Sequence, residues 1–160
     1  MKQFKFKKAL LILICVAMPG LLIAQKKPDY SGTWIQDNQK SDEYYRSFNV
    51  TLTITQTEKS ISFREVFSDK AGKDMATREY SFNLDGKEIS VEAHGGIDKS
   101  VATWSVDNKT LNTKNTSVTG SDVYGSKADY SLSADGKVLT VVVSDIKPGG
   151  LVVKQVFNRK

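Results

Sequence analysis

From Val50 onward apolar and polar residues alternate, and a period of two marks a strand that buries one face and wets the other. Val50, Leu52 and Ile54 share one face against Thr51, Thr53 and Thr55. Ile61 and Phe63 stand against Ser60, Ser62 and Arg64, and Tyr80, Phe82 and Leu84 against Glu79, Ser81 and Asn83. Ile89 with Val91, Tyr130 with Leu132, and Leu139 with Val141 and Val143 continue the series. Threonine, serine and β-branched residues dominate these segments, as a pleated surface favours. A parallel sheet wrapped in helices would need continuous apolar runs separated by helical stretches, and the chain has neither.

Turn chemistry divides the alternation at short intervals. Asp85-Gly86-Lys87 and Asp135-Gly136-Lys137 predict tight hairpins, because Asp-Gly supplies the positive φ that type I′ turns require. Asp107-Asn108-Lys109 and Thr57-Glu58-Lys59 are weaker forms of the same signal. After each, an apolar residue restarts the pattern: Ile89, Leu139, Leu111 and Ile61. The expected result is a meander of roughly eight to ten antiparallel strands after Gly32. Segments 37–47, 68–76 and 115–124 read as its long loops, the first with room for one helical turn. Pro148-Gly149-Gly150 closes a turn before a last strand, Leu151–Phe157. An open meander has two exposed edges, so the pattern predicts a single closed up-and-down β-barrel, with a two-sheet sandwich as the rival all-β solution. The polar second face excludes a barrel turned toward lipid.

Residues 1–24 stand apart from this pattern. Lys2, Lys5, Lys7 and Lys8 lead into an apolar run, Ala9 to Ala24, interrupted only by Pro19 and Gly20. That is the layout of a secretory signal peptide, with cleavage expected after Ala24. The alternative, a retained anchor, is disfavoured because the run falls short of the roughly 20 residues a span needs. The expectation is therefore a protein exported to the periplasm or the extracellular space, with 25–160 as one domain and no stable membrane anchor after cleavage. Cys15, the only cysteine, would leave with the signal, and so would disulfide and thiolate-metal chemistry. Ile14 before it is too large for a lipid-attachment site. The four lost lysines take the net charge from +5 to +1, which leaves no electrostatic case for nucleic acid.

Two short segments at opposite ends of the domain carry a resemblance. Gly32-Thr33-Trp34 opens the first strand, and Val156-Phe157-Asn158-Arg159 closes the last. The pairing resembles the calycin superfamily of lipocalins, fatty-acid-binding proteins and avidins, in which a Gly-x-Trp begins the barrel. Asp129-Tyr130 is similar to part of a second lipocalin signature, with Ala128 in the place of its threonine. The resemblance implies that Arg159, on the final strand, packs over Trp34 and closes the barrel floor. An arginine over an indole face is worth roughly 0.5–2 kcal/mol.

No catalytic constellation is legible. His94 is the only histidine, out of phase with Ile89, Val91 and Ala93, and reads as an exposed strand-end residue rather than a metal ligand or acid–base group. The serines lack a nucleophile elbow or a histidine partner, and no phosphate loop or cofactor motif is present. Three Asn-x-Ser/Thr triplets, at Asn49, Asn108 and Asn115, fit an Asn/Thr-rich surface. The residues that stand out are polar ones on inward parity: Glu65 with Ile61 and Phe63, Arg78 with Tyr80 and Phe82, Tyr124 with Ala128 and Tyr130, and Gln155 with Val153 and Phe157. Glu65, Arg78, Tyr80, Tyr124 and Gln155 are thus the candidate ligand-binding residues. Arg78 and Glu65 could form a buried pair, Arg78 could await a ligand carboxylate, or both could sit at strand ends in water. A barrel of this size fills itself or encloses one small ligand. The leading expectation is a non-enzymatic carrier of a small apolar or amphipathic molecule. The alternative is a packed barrel that engages a protein partner through its loops, as an inhibitor or interaction module.

Overall fold

The computed structural model describes residues 26–93 and 95–160; the expected signal segment and His94 lie outside the described residues. Ten antiparallel strands follow one another: β1 (Gly32–Gln36), β2 (Asn49–Gln56), β3 (Ser60–Ser68), β4 (Asp74–Asn83), β5 (Ile89–Ala93), β6 (Gly96–Trp104), β7 (Thr110–Thr119), β8 (Asp122–Leu132), β9 (Val138–Asp145) and β10 (Val152–Arg159). They form one continuous sheet in the order β4-β3-β2-β1-β10-β9-β8-β7-β6-β5, the topology of an up-and-down barrel and not of a sandwich. Alternation finds the core. Val50, Leu52, Ile54, Ile61, Phe63, Phe82, Leu111, Tyr130, Leu139, Val141 and Phe157 are all buried and pack as one cluster.

The chain's first and last strands are hydrogen-bonded neighbours, with Trp34 opposite Arg159. The Arg159 guanidinium lies 4.2 Å from the centre of the Trp34 ring, as the resemblance implied. Its Nη1 donates to the Ser31 carbonyl at 2.6 Å, and the fully buried indole donates from Nε1 to the Tyr30 carbonyl at 2.9 Å. Gly32 is required here. Its φ is +134°, and a Cβ would stand 2.9 Å from Arg159 Nη1.

Three expectations are corrected. Segment 115–124 is no loop: β7 and β8 run on as a long ribbon around a tight turn at Gly120, where φ is +59°. The turns at 105–109 and 133–137 are not type I′, since only Asn108 and Gly136 take positive φ. Each is a Ser-x-Asp-Asn/Gly-Lys turn in which the aspartate Oδ1 accepts from the serine hydroxyl at 2.6 Å and from the lysine amide. A single left-handed residue at the end of a type I turn satisfies the twist equally well. Finally, the barrel is not closed by hydrogen bonds all the way round. Asp85-Gly86 turns the chain, with Gly86 at φ +75°, but β4 and β5 are the two edges of the sheet, and β4 passes close to β6 without pairing. Between Asp74 and Glu79 every β4 residue is exposed, and β5 is only five residues long. A short strand and a polar, charged one are the usual protections of unpaired edges.

Segment 68–76 is also shorter than expected: Ser68 ends β3 and Asp74 begins β4, leaving a turn at 69–73 closed by the Asp69 amide donating to the Lys73 carbonyl at 2.9 Å. Segment 37–47 holds a single 3-10 turn, Glu43–Tyr45, and the 145–150 turn is closed by the Asp145 amide donating to the Leu151 carbonyl.

Candidate functional site

The barrel is filled at its floor and open above it. Trp34, Tyr30 and Leu111 occupy the floor end, with Trp104 stacked on Tyr30 at 6.0 Å. Above them lies a cavity of about 730 Å³, within the roughly 300–1,000 Å³ range of small-molecule sites. Leu52, Val141, Val143, Val153 and Phe157 make its apolar walls, and the aromatic group Tyr44, Tyr45, Phe48 and Phe67 lines it from the side of the 3-10 turn. Exposed Tyr44, Met75 and Leu151 form its rim.

Of the five residues nominated from sequence, Glu65, Arg78, Tyr80 and Gln155 line this cavity. Tyr124 does not. The register keeps it on the same face as Ser126 and Ala128, but it lies beyond the lining, half exposed, with Lys147 Nζ 4.6 Å from its ring centre. Glu65 and Arg78 are directly opposite each other across the β3–β4 ladder, in mid-strand and not at strand ends. They are not an ion pair within 4 Å, unlike their outward neighbours Arg64 and Glu79, which meet at 3.1 Å. Arg78 is exposed and lays its guanidinium 4.9 Å from the centre of the Phe67 ring. Glu65 turns to Tyr80, whose hydroxyl donates to Oε1 at 2.9 Å. That hydroxyl also meets the Tyr130 hydroxyl at 3.3 Å, and Phe63 stacks on Tyr80 at 5.0 Å and tilts against Tyr130 at 4.9 Å. Gln155 is buried and donates to Gln36 Oε1 at 2.6 Å, while Gln36 Nε2 donates to the Tyr45 and Phe48 carbonyls and to Asn38. This amide pair ties the 3-10 turn to β1 and β10.

Burial shapes the electrostatics of the cluster. Desolvation pushes the Glu65 carboxyl above its ordinary value, against the Tyr80 hydrogen bond and the Arg78 charge, which both pull it down. Burial also pushes the Tyr80 and Tyr130 phenols far up, so both stay neutral, and Tyr45 rises to about 12 through burial and then the Glu65 charge. Replacing Glu65 with Gln keeps an acceptor for Tyr80 and removes the charge. Because the folded value of the carboxyl is raised, its contribution to stability is full below the unfolded value and is lost as pH rises through the folded one. The Tm of Glu65→Gln should match wild type at about pH 4 and exceed it at about pH 8 in thermal melts. An equal offset at both would mean that Glu65 titrates like a solvated carboxyl.

Sequence reasoning did not single out Tyr45, Phe48, Phe67 or Thr113 as lining residues, nor Gln36 as the partner of Gln155. Tyr45 and Phe48 come from a polar stretch with no periodicity, whereas Phe67 and Thr113 do carry the parity of their strands. Conversely Phe63 and Phe82 belong to the core, with Trp104 packed against it.

The sequence matches no family model and no curated protein. Solved structures do match it. One titled "REP1-NXSQ fatty acid transporter" aligns with a TM-score of 0.56 at 14% identity, over 81% of this chain and 95% of that one. A Schistosoma mansoni fatty acid binding protein in complex with arachidonic acid aligns with a TM-score of 0.54 at 14% identity, over 82% and 96%. Human cRBP IV aligns with a TM-score of 0.51 at 19% identity, over 83% and 99%. With a ten-strand antiparallel meander, a Gly-x-Trp first strand and an arginine stacked on that tryptophan from the last, the chain has the lipocalin-like fold of the calycin barrels.

Proposed function

We propose that the protein is an exported carrier that holds one small amphipathic molecule inside its barrel and performs no chemistry on it. The observation that carries this reading is the cavity of about 730 Å³, whose valine, leucine and aromatic walls surround the Glu65–Tyr80–Tyr130 cluster. Apolar walls supply the driving force of burial, and a few convergent polar groups orient the ligand. Likeness in fold to a transporter and a binding protein for fatty acids supports the same reading. Export rests on the lysine-led apolar segment of residues 1–24, which is a signal peptide in layout. The absence of catalysis is supported by the character of the cluster. It offers one carboxyl and two phenols held neutral, with no nucleophile–base pair among them.

Native mass spectrometry of the mature protein, purified gently from its own host, tests this directly. The expected spectrum carries an added mass that disappears on denaturation, together with an N-terminus at Gln25. A bare protein mass, with nothing recovered from host extract, would move the function to the loops and a protein partner.

A further inference from the structure

The hydroxyl groups that reach the polar cluster are already committed. Tyr80 donates to Glu65 Oε1 at 2.9 Å. With that proton spent, the 3.3 Å contact between the two phenols is made by Tyr130 donating to Tyr80. Thr113 donates to the Ala128 carbonyl at 3.3 Å, and Tyr30, below, donates to the Tyr130 carbonyl at 2.7 Å. The chain of hydrogen bonds runs one way and ends on the carboxylate. What it leaves for a visitor is acceptor capacity: Glu65 Oε2 and the lone pairs of the Tyr130 oxygen. Charge points the same way. The Arg78 guanidinium rests on Phe67 and is exposed, so an anion that reached it would do so at the solvent-open side of the cavity. The other donors in the lining, Tyr44, Tyr45, Asn115, Ser126 and the Gln155 amide, carry no positive charge.

Resting on the carrier reading, we infer that the Glu65–Tyr80–Tyr130 cluster selects ligands whose polar end donates hydrogen bonds, a hydroxyl or an ammonium group on an apolar chain, and disfavours those ending in a carboxylate. A carboxylate placed at the cluster meets a like charge in a site of low dielectric, and the tyrosine and threonine hydroxyls there have no proton left to donate to it. An alcohol completes the hydrogen-bond chain, and an ammonium adds charge neutralisation.

Isothermal titration of the mature protein with dodecanol, dodecylamine and dodecanoate tests the selection. These share one chain and differ only at the polar end. The expected order places the alcohol and the amine at least tenfold tighter than the carboxylate. In Glu65→Gln, with its fold checked by thermal melting, the amine weakens and the carboxylate tightens until the gap closes. If that variant does not fold, the wild-type ranking decides alone. Dodecanoate binding as tightly as the other two overturns the inference, and loss of that binding in Arg78→Gln would place the head group at the rim. If none of the three binds, the carrier reading falls, and the selection with it.

Discussion

Trp34→Ala should cost about 3–5 kcal/mol, the usual range for emptying a buried tryptophan site and a large share of the roughly 5–15 kcal/mol that holds a domain together. Three losses combine. The indole is fully buried, so a hole opens at the floor among Tyr30 and its neighbours. The Tyr30 carbonyl loses the Nε1 donor it held at 2.9 Å. Arg159 loses the ring face it covers at 4.2 Å, although its own bonds to Ser31 and Gly136 remain. Equilibrium urea unfolding measures the sum. Arg159→Gln, which removes the cation–π contact and the bonds to Ser31 and Gly136 but leaves the ring buried, should cost less, about 1–2 kcal/mol. Equal effects of the two variants would show that the guanidinium, and not the buried ring, holds the floor.

Ala128→Trp should abolish ligand uptake while leaving the fold in place. Ala128 sits in mid-β8, opposite Thr113 on one side and Val143 on the other, and all three line the cavity. An indole there projects into existing space, so the side chain occupies the chamber without forcing its walls apart. Affinity for whichever amphiphile the wild type retains should fall by about a hundredfold or more, equivalent to about 2.7 kcal/mol. The Tm should stay close to wild type, because the volume filled was empty. Undiminished binding would place the ligand outside the barrel, and unfolding would show the cavity to be smaller than its walls suggest.

The fold was legible where both faces of a strand have a clear character. On β2 from Val50 to Thr55 and on β3 from Ser60 to Arg64 each inward residue is apolar and each outward one polar, and on β9 Leu139 and Val141 flank Thr140, so parity identified Val50, Leu52, Ile54, Phe63 and Val141. It failed on the open stretch of β4, where Asp74 to Glu79 are all exposed and no contrast exists to read. The gap beside β4 was hidden for a related reason. Asp85-Gly86-Lys87 has the same local chemistry as the hairpin at 135–137, and Asp85 Oδ1 accepts from the Lys87 amide just as Asp135 does from that of Lys137. Whether the flanking strands then pair is settled by the whole sheet, beyond the reach of the turn itself. For the site, parity named the right face and was blind to height. Tyr124 and Tyr130 share a face of β8, yet one is half exposed and the other buried at the polar cluster. Distance along the barrel axis depends on where partner strands begin, and no single strand encodes that.

The two halves of the ring are joined in different ways. Strands β1–β4 and β5–β10 form two arms connected by backbone at the Asp85–Gly86 turn, where no ladder exists, and by a ladder at β1–β10, the pair farthest apart in sequence. Every other pairing joins consecutive strands and can form as soon as its second member has emerged. The β1–β10 seam has no such freedom. It demands the largest loop closure of any ladder and waits for β10 to be made, Arg159 included. A nascent chain therefore carries β1 with one edge bare and Trp34 uncapped until β10 has emerged. The β1–β10 seam can form only after every other ladder has had its chance, and the interval before it is sewn is when β1 is most exposed to pairing with the wrong strand.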